Sequence, residues 1–169
     1  MHQKDFLDLI SPFKDKVFRL AKRLLVSTEE AEDATQELFL KLWRNKVQIK
    51  NYKNVEAFAM TMTKNYCYDQ LKSKRASNLK LVHSNYKEKG TSLERKVELK
   101  DSIELVHKLI ENLSTTQKII IQLRDIEQYD YDEIAKMLEM KPSAVRVALS
   151  RARKTIKEQL IKKHNYGIR

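Results

Sequence analysis

Three kinds of chemistry can be sought in the side chains of this sequence, and two fail on residue type and spacing. Cys67 is the only cysteine, and His2, His83, His107 and His164 are scattered without a Cys/His pair at finger spacing, so no metal site and no cofactor is expected. No pair of carboxylates sits with a His or Cys in a recognisable catalytic arrangement, which speaks against a nucleic-acid-processing enzyme. The third chemistry is the binding of a polyanion. From Lys141 to Lys163 the chain carries eight Lys or Arg against one acid, Glu158, a balance of +7.

A helix must hold that stretch if its charges are to act together. At about 100° per residue, Val145, Ala148, Leu149, Ala152, Ile156 and Leu160 fall on one side of the cylinder. Arg146, Ser150, Arg151, Lys154 and Lys157 fall on the other side or its flanks. One stripe glued down and arginines on the opposite stripe is the arrangement that reads a DNA major groove. Just upstream, Asp130-Tyr-Asp-Glu133 is a capping box opening a helix, YDEIAKML, and Pro142 suits the first turn of the next. Two helices joined by the turn Glu139-Met140-Lys141, with small Ala135 at their approach, make a helix-turn-helix.

The remaining elements follow from periodicity. Only two Gly and two Pro predict an all-α protein. Phe6, Leu9, Ile10, Phe13, Val17, Leu20, Ala21, Leu24 and Leu25 recur at helical spacing, with Pro12 kinking the beginning. Ser27 or Thr28 caps a second helix running from Glu29 to about Asn45; KVQIKNYKN reads as a loop, and a third helix spans about Val55 to Lys74. Residues 76–96 lose the periodicity, contain Gly90 and carry +3, the composition of a flexible linker. Beyond it, Val97 to Asn112 is a helix with Ile103, Val106 and Ile110 on its buried face, and Ser114-Thr-Thr-Gln117 caps KIIIQLRDI. Two small helical domains are therefore expected, residues 1–75 and 97–169, joined by 76–96.

Charge separates along the chain as well. The total is +11, yet residues 97–140 carry −5 immediately before the +7 helix. Such segregation points to an oriented polyanion partner rather than general stickiness. The apolar runs are short and acids interrupt the first ten residues, so neither membrane insertion nor a signal peptide is expected, and the lone cysteine fits a reducing cytoplasm.

The second helix has an unusual polar face. Ala31, Ala34, Leu38 and Leu42 form its core stripe; Asp33, Gln36, Glu37, Leu40 and Arg44 form the opposite one, with Trp43 at the edge. An outward Leu amid acids and amides suits protein docking, while a single exposed Leu on a solvated helix is the plainer alternative. Here the residues resemble a known family. Glu30-Ala-Glu-Asp33-Ala-Thr-Gln36-Glu37-Leu-Phe39-Leu-Lys-Leu-Trp43 is similar to region 2.2 of bacterial RNA polymerase sigma factors of the extracytoplasmic-function type. The helix Ala57 to Arg75 resembles regions 2.3 and 2.4, with Phe58 where Trp is usual and Lys64, Asn65 and Asp69 aligned. Leu113, Leu123-Arg124-Asp125, Tyr131-Asp-Glu133-Ile134-Ala135 and Ser150-Arg151-Ala152-Arg153 resemble region 4.

The resemblance covers about residues 6–160 and implies a sigma factor that binds core RNA polymerase, recognises promoter DNA and helps to open it, catalysing nothing itself. Asp33, Gln36 and Glu37 inherit the contact with the polymerase clamp helices, with Leu40 on the same face. The loop Asn45 to Asn54 forms the pocket for a flipped base of the minus-ten element. Asn51, Tyr52, Lys53, Lys64, Lys72, Lys74 and Arg75 supply the amide, aromatic and cationic groups that a separating strand needs. Tyr66 and Tyr68 could share that task, although aromatics at helical spacing are more often core.

At the minus-thirty-five element, Arg146, Ser150 and Arg151 are placed on base edges and Arg153, Lys154 and Lys157 on phosphates; the alternative for Arg153 is a salt bridge within its domain. Ser114, Gln128, Ser143-Ala144, Val147 and Ala148 depart from the family pattern, where Pro, Gly, Gly-Thr, Ser and Arg are frequent, and leave the promoter sequence open. An anti-sigma factor is a further partner that a family member can have. The rival reading is a helix-turn-helix regulator that acts without being a polymerase subunit and dimerises through its first domain. That seam would need an apolar second stripe on the helix where Asp33, Gln36 and Glu37 stand.

Overall fold

The computed structural model describes residues 1–81 and 98–166, with side chains for 1–78 and 101–165. Among them there is no strand. The N-terminal half consists of α1 (Gln3–Ile10), α2 (Lys14–Leu25), α3 (Thr28–Arg44), the single turn α4 (Lys46–Ile49) and α5 (Val55–Leu81). The C-terminal half holds α6 (Glu98–Glu111), α7 (Thr115–Ile121), a π-helical turn (Gln122–Ile126), α8 (Tyr131–Leu138) and α9 (Pro142–Tyr166).

Pro12 breaks the first apolar stripe into α1 and α2, because its ring has no N–H to donate to the ladder. Between α2 and α3 the chain reverses at Val26, whose φ of 66° and ψ of −41° close a γ-turn in which Ser27 N donates to Leu25 O at 2.8 Å. A β-branched residue at positive φ is strained, and the compensation is capping: Ser27 Oγ accepts from Glu30 N at 3.3 Å and starts α3. The packing of α2 against α3 and α5 buries Val17, Leu20, Leu24, Ala31, Ala34, Leu38, Leu42, Met60 and Cys67.

Three details differ from the expected elements. Lys46 to Ile49 form a helical turn rather than open loop, because Ile49 is buried and Gln48 N and Ile49 N both donate to Asn45 O. Second, α5 runs through Leu81, six residues into the stretch expected as linker, since Ala76, Ser77 and Asn78 contain no helix breaker; the remainder, 82–96, lies outside the described residues. Third, Ile103 is 56% exposed, and the buried face of α6 is Leu109 and Ile110 with Leu113 beyond it.

Cys67 is fully buried against α2 and α3, and burial pushes its thiol up to about 12. At pH 8 the thiolate would then be about one part in ten thousand. A thiol-directed chromogenic reagent should leave the native protein unmodified and titrate one thiol per chain in denaturant; rapid native labelling would contradict this packing.

The helix-turn-helix forms as its caps dictate. Asp130 Oδ1 accepts from Glu133 N at 2.8 Å while Glu133 Oε2 accepts from Asp130 N at 3.0 Å, starting α8. Glu139 ends it in the left-handed region, φ 55°. On α9, Val145, Leu149 and Ala152 are buried against α7 and α8, and Ala148, Ile156 and Leu160 are half-buried. Gln128 stands at φ 65°, the conformation that explains why the family pattern has Gly there.

The two halves are not separate bodies. Helix α2 packs against α7 and the π-helical turn, and α5 packs against α8. Polar groups carry much of that seam: Arg19 donates to Glu127 through Nε at 2.8 Å and Nη2 at 2.7 Å, and Tyr129 OH donates to Glu56 at 2.5 Å.

Candidate nucleic-acid interface

Three surfaces hold the residues singled out by the sequence. On α9, Ser143, Ala144, Arg146, Val147, Ser150, Arg151 and Lys154 form one exposed band opposite the buried stripe. Arg146 lies 4.7 Å above the ring of Tyr131, and Arg124 stacks at the same distance. Such stacking restrains a long side chain before it meets a base edge. Lys157 is exposed, and Lys154 lies 3.9 Å from Glu158 in an i,i+4 pair. Arg153 is different: its Nε donates to Asp125 Oδ2 at 3.1 Å and Nη2 pairs with the other oxygen, holding α9 to the π-helical turn. That hydrogen bond raises the guanidinium pKa further. The intradomain salt bridge weighed for Arg153 is thus realised.

Around the loop after α4, Asn51, Tyr52 and Lys53 are exposed. Tyr52 stacks on Phe58, centroids 4.5 Å apart and planes at 22°. Asn54 Oδ1 accepts from Ala57 N at 2.9 Å and fixes the start of α5. Tyr52, Lys53 and Asn54, with Met1, Leu9, Pro12 and Ile49, border an open concavity of about 490 Å³. An aromatic face beside cations and amides suits an unstacked base.

Along α5, Lys72 and Arg75 are exposed, whereas Lys74 is ion-paired to Glu30. Lys64 points toward the C-terminal half, its Nζ donating to Met137 O at 2.9 Å. Tyr66 is half-buried under Lys41, whose Nζ lies 5.0 Å from the ring, and burial raises its hydroxyl pKa. Tyr68 is half-buried, and burial raises its hydroxyl pKa too. Both tyrosines therefore serve packing in this arrangement.

On α3, Asp33 and Gln36 are exposed, Leu40 is 49% exposed, and Glu37 sits 3.7 Å from Lys41. Trp43, expected at the edge of this face, instead turns inward and meets Phe6 edge-on at 5.1 Å, with Lys46 Nζ 3.8 Å over its ring.

Comparison with known proteins fits these surfaces. Residues 9–77 match the family model for Sigma-70 region 2, and residues 103–156 match that for Sigma-70, region 4. The chain belongs to the sigma-70 family. It is similar to members of the extracytoplasmic-function type: it is 25% identical over 160 residues to the ECF RNA polymerase sigma factor SigE of Mycolicibacterium smegmatis, covering 92% of this chain and 61% of that protein. With SigW of Bacillus subtilis, another ECF RNA polymerase sigma factor, the identity is 22% over 168 residues, covering 94% and 90%. The chain thus spans about three fifths of the first relative and nearly all of the second.

Among solved structures, the sigma factor RpoE of Bartonella quintana, crystallised with the anti-sigma factor NepR, superimposes with a TM-score of 0.76 over 93% of this chain and 97% of that one, at 21% identity. The region 2 match thus falls on α1–α5 and the region 4 match on α6–α9. Sigma-70 proteins are polymerase-associated promoter-recognition factors, so the free-standing regulator is not favoured.

Sequence reasoning missed the residues of the seam: Lys16, Arg19, Arg23, Glu56, Gln122, Glu127 and Tyr129. One signal was available, since Gln122 interrupts the apolar run Ile119-Ile-Ile121 and is buried.

Proposed function

We propose that this sigma factor docks on core RNA polymerase through Asp33, Gln36, Glu37 and Leu40 of α3 and directs initiation at promoters read at two points. Region 2, residues 1–75, takes the minus-ten element through the Tyr52 concavity and the cations of α5. Region 4, residues 97–169, takes the minus-thirty-five element through Arg146, Ser150 and Arg151, with Lys154 and Lys157 on phosphates. The protein contributes binding and strand capture and performs no covalent chemistry. It acts in the cytoplasm, where the polymerase is; no described helix is long and apolar enough to cross a membrane. An anti-sigma factor is a further partner, on the likeness to RpoE, which was crystallised in complex with the anti-sigma factor NepR.

The observation that carries this reading is the coexistence, in one chain, of an exposed acidic-amide face with an outward Leu on α3 and an exposed arginine band on a buried-stripe helix, α9. Neither face alone separates a sigma factor from a regulator. Together they provide a protein anchor and a DNA reader, and joining two weak sites on one body raises their effective concentration at the promoter.

Two substitutions separate the assigned roles. Arg151→Ala should cost about 1–3 kcal/mol at a preferred promoter and relax selectivity at one base pair. Lys154→Ala should weaken all duplexes alike and lower the salt slope of binding by about one. Gel-shift or anisotropy titration of polymerase with this subunit against single-base promoter variants checks both. Equal losses on every variant for Arg151→Ala would remove it from the base edges.

A further inference from the structure

A cavity of about 350 Å³ lies between α2 and the two elements facing it, α6 and the π-helical turn. Its charge is one-sided: Arg19, Lys22 and Arg23 line it from α2, and Glu111 is the single carboxylate among its lining residues. Phe18, Val26 and Ile126 supply apolar wall. None of these residues belongs to the docking face of α3 or to the DNA-reading band of α9.

Arg23 decides what such a space can hold. It is half-buried, its Nε donates to Gln122 Oε1 at 3.0 Å, and its Nη2 lies 2.8 Å from His107 Nδ1. A guanidinium can only donate, so Nδ1 is the bare nitrogen of a neutral imidazole. Both partners are therefore uncharged, and Arg23 makes no ion pair with a described residue, whereas Arg19 has Glu127. Burial lowers the pKa of Arg23 despite the more distant charge of Glu111. Donors are also left over among the described residues. Nη1 of Arg23 and Nη1 of Arg19 have no partner, and Lys22 commits its ammonium to Val26 O and Thr28 Oγ1, which uses two of three N–H groups. A desolvated guanidinium with neutral neighbours gains from an anion that brings two oxygens to its planar fork.

The rest of the cavity suits an apolar body. Its size falls within the range of roughly 300–1,000 Å³ over which small-molecule sites are found. Val26 is held at positive φ with 50% of its surface exposed, a strained setting for a β-branched residue and one that recurs at ligand clamps. The π-helical turn, closed by Glu127 N donating to Gln122 O at 3.0 Å, places buried Gln122 and 38%-exposed Ile126 on the same cavity. Val26 and Ile126 thus keep apolar surface in water that a hydrocarbon group would cover.

The geometry points to a binding site for a small amphiphilic oxyanion, a phosphate monoester or a carboxylate, whose charged end meets Arg23 and Lys22 and whose aromatic or aliphatic body packs on Phe18, Val26 and Ile126. The site stands independently of the promoter-binding reading. Because α2 and the facing elements both contribute to it, occupancy stabilises their packed arrangement by linkage.

Phenyl phosphate and benzoate are the probes, with inorganic phosphate and benzyl alcohol as their separate halves. Each is titrated into the isotopically labelled full chain while heteronuclear NMR follows backbone amides and arginine Nε–H signals. At least one organic anion should give saturable one-site shifts at Arg23 Nε–H and at the amides of Val26 and Gln122–Ile126, and the preferred one names the headgroup. Inorganic phosphate and benzyl alcohol should each bind about tenfold more weakly, as should the preferred anion to Arg23→Gln. Ile126→Glu, a change at a part-exposed residue that sets a carboxylate at the mouth, gives the same loss and serves should Arg23→Gln fail to fold. Lys14→Gln, exposed on α2 and outside the cavity, leaves binding unchanged.

The site is overturned by any of four results. These are no saturable shift at the named signals with either organic anion, shifts confined to the cations of α9, either half binding as tightly as the whole, or parent-like binding by a folded Arg23→Gln or Ile126→Glu chain.

Discussion

A chain carrying Asp33→Ala with Gln36→Ala loses affinity for core RNA polymerase by about a thousandfold, while its fold and its region 4 DNA binding stay intact. The size follows from treating each as an interface hot spot of about 2 kcal/mol, near 4 kcal/mol together. Neither side chain makes a hydrogen bond or ion pair with a described residue, and both lie on the exposed face of α3 opposite Ala31, Ala34, Leu38 and Leu42. Alanine is also the better helix former, so α3 loses nothing locally. Glu32→Ala, exposed on the same helix, is the control for charge alone. Equilibrium titration of labelled core with each variant checks this, and parent-like binding by the double variant would remove α3 as the docking face.

The second large effect is at Leu149. Its side chain is 1% exposed and seats α9 between α7 and α8 together with Val145 and Ala152. Leu149→Ala should destabilise region 4 by about 2–5 kcal/mol, the lost transfer energy plus that of the cavity left behind. Region 4 has a small core, so this is a large fraction of its stability. Hydrogen exchange should show α7 to α9 losing protection while α2, α3 and α5 keep theirs. Binding to minus-thirty-five duplexes should fall with region 4 while docking through α3 persists. Loss of protection across both regions at once would mean that the two bodies unfold as a single unit.

How far the sequence could be read depended on how local the physics is. The capping box at Asp130, the N-cap at Ser114, where the hydroxyl accepts from Gln117 N without a reciprocal bond, the kink at Pro12 and the buried stripe of α9 are set by residues within a few positions of one another. The exposed arginine band and the polar face of α3 followed from helical period alone. What failed to show was decided by distant partners. Trp43 looked like an edge residue of the docking face because Phe6, 37 positions earlier, cannot be seen in a helical projection of α3. Ile103 looked buried because periodicity does not say where α6 leaves its neighbours. Lys64 and Lys74 read as plain DNA cations, but the carbonyl of Met137 and the carboxylate of Glu30 hold them.

The seam was invisible for the same reason: Arg19 and Glu127 are 108 residues apart, and each is an ordinary charge on its own helix or turn. It changes the expected picture of two tethered beads into one body whose joint includes buried polar pairs. Arg23 illustrates the cost of that joint, since burial lowers its pKa against the opposing pull of the Glu111 charge. The surfaces proposed for DNA reading and docking face outward, with Arg146, Arg151, Asp33 and Gln36 all exposed.

Multiple-round run-off transcription tests the central claim most directly. Core RNA polymerase is assayed with and without the purified chain on a library of promoter templates that vary at the minus-ten and minus-thirty-five elements. A small set of templates should become active only when the chain is present, and Asp33→Ala with Gln36→Ala should silence them. If no template responds to the parent chain and the double variant binds core as the parent does, this protein is not a promoter-specificity subunit.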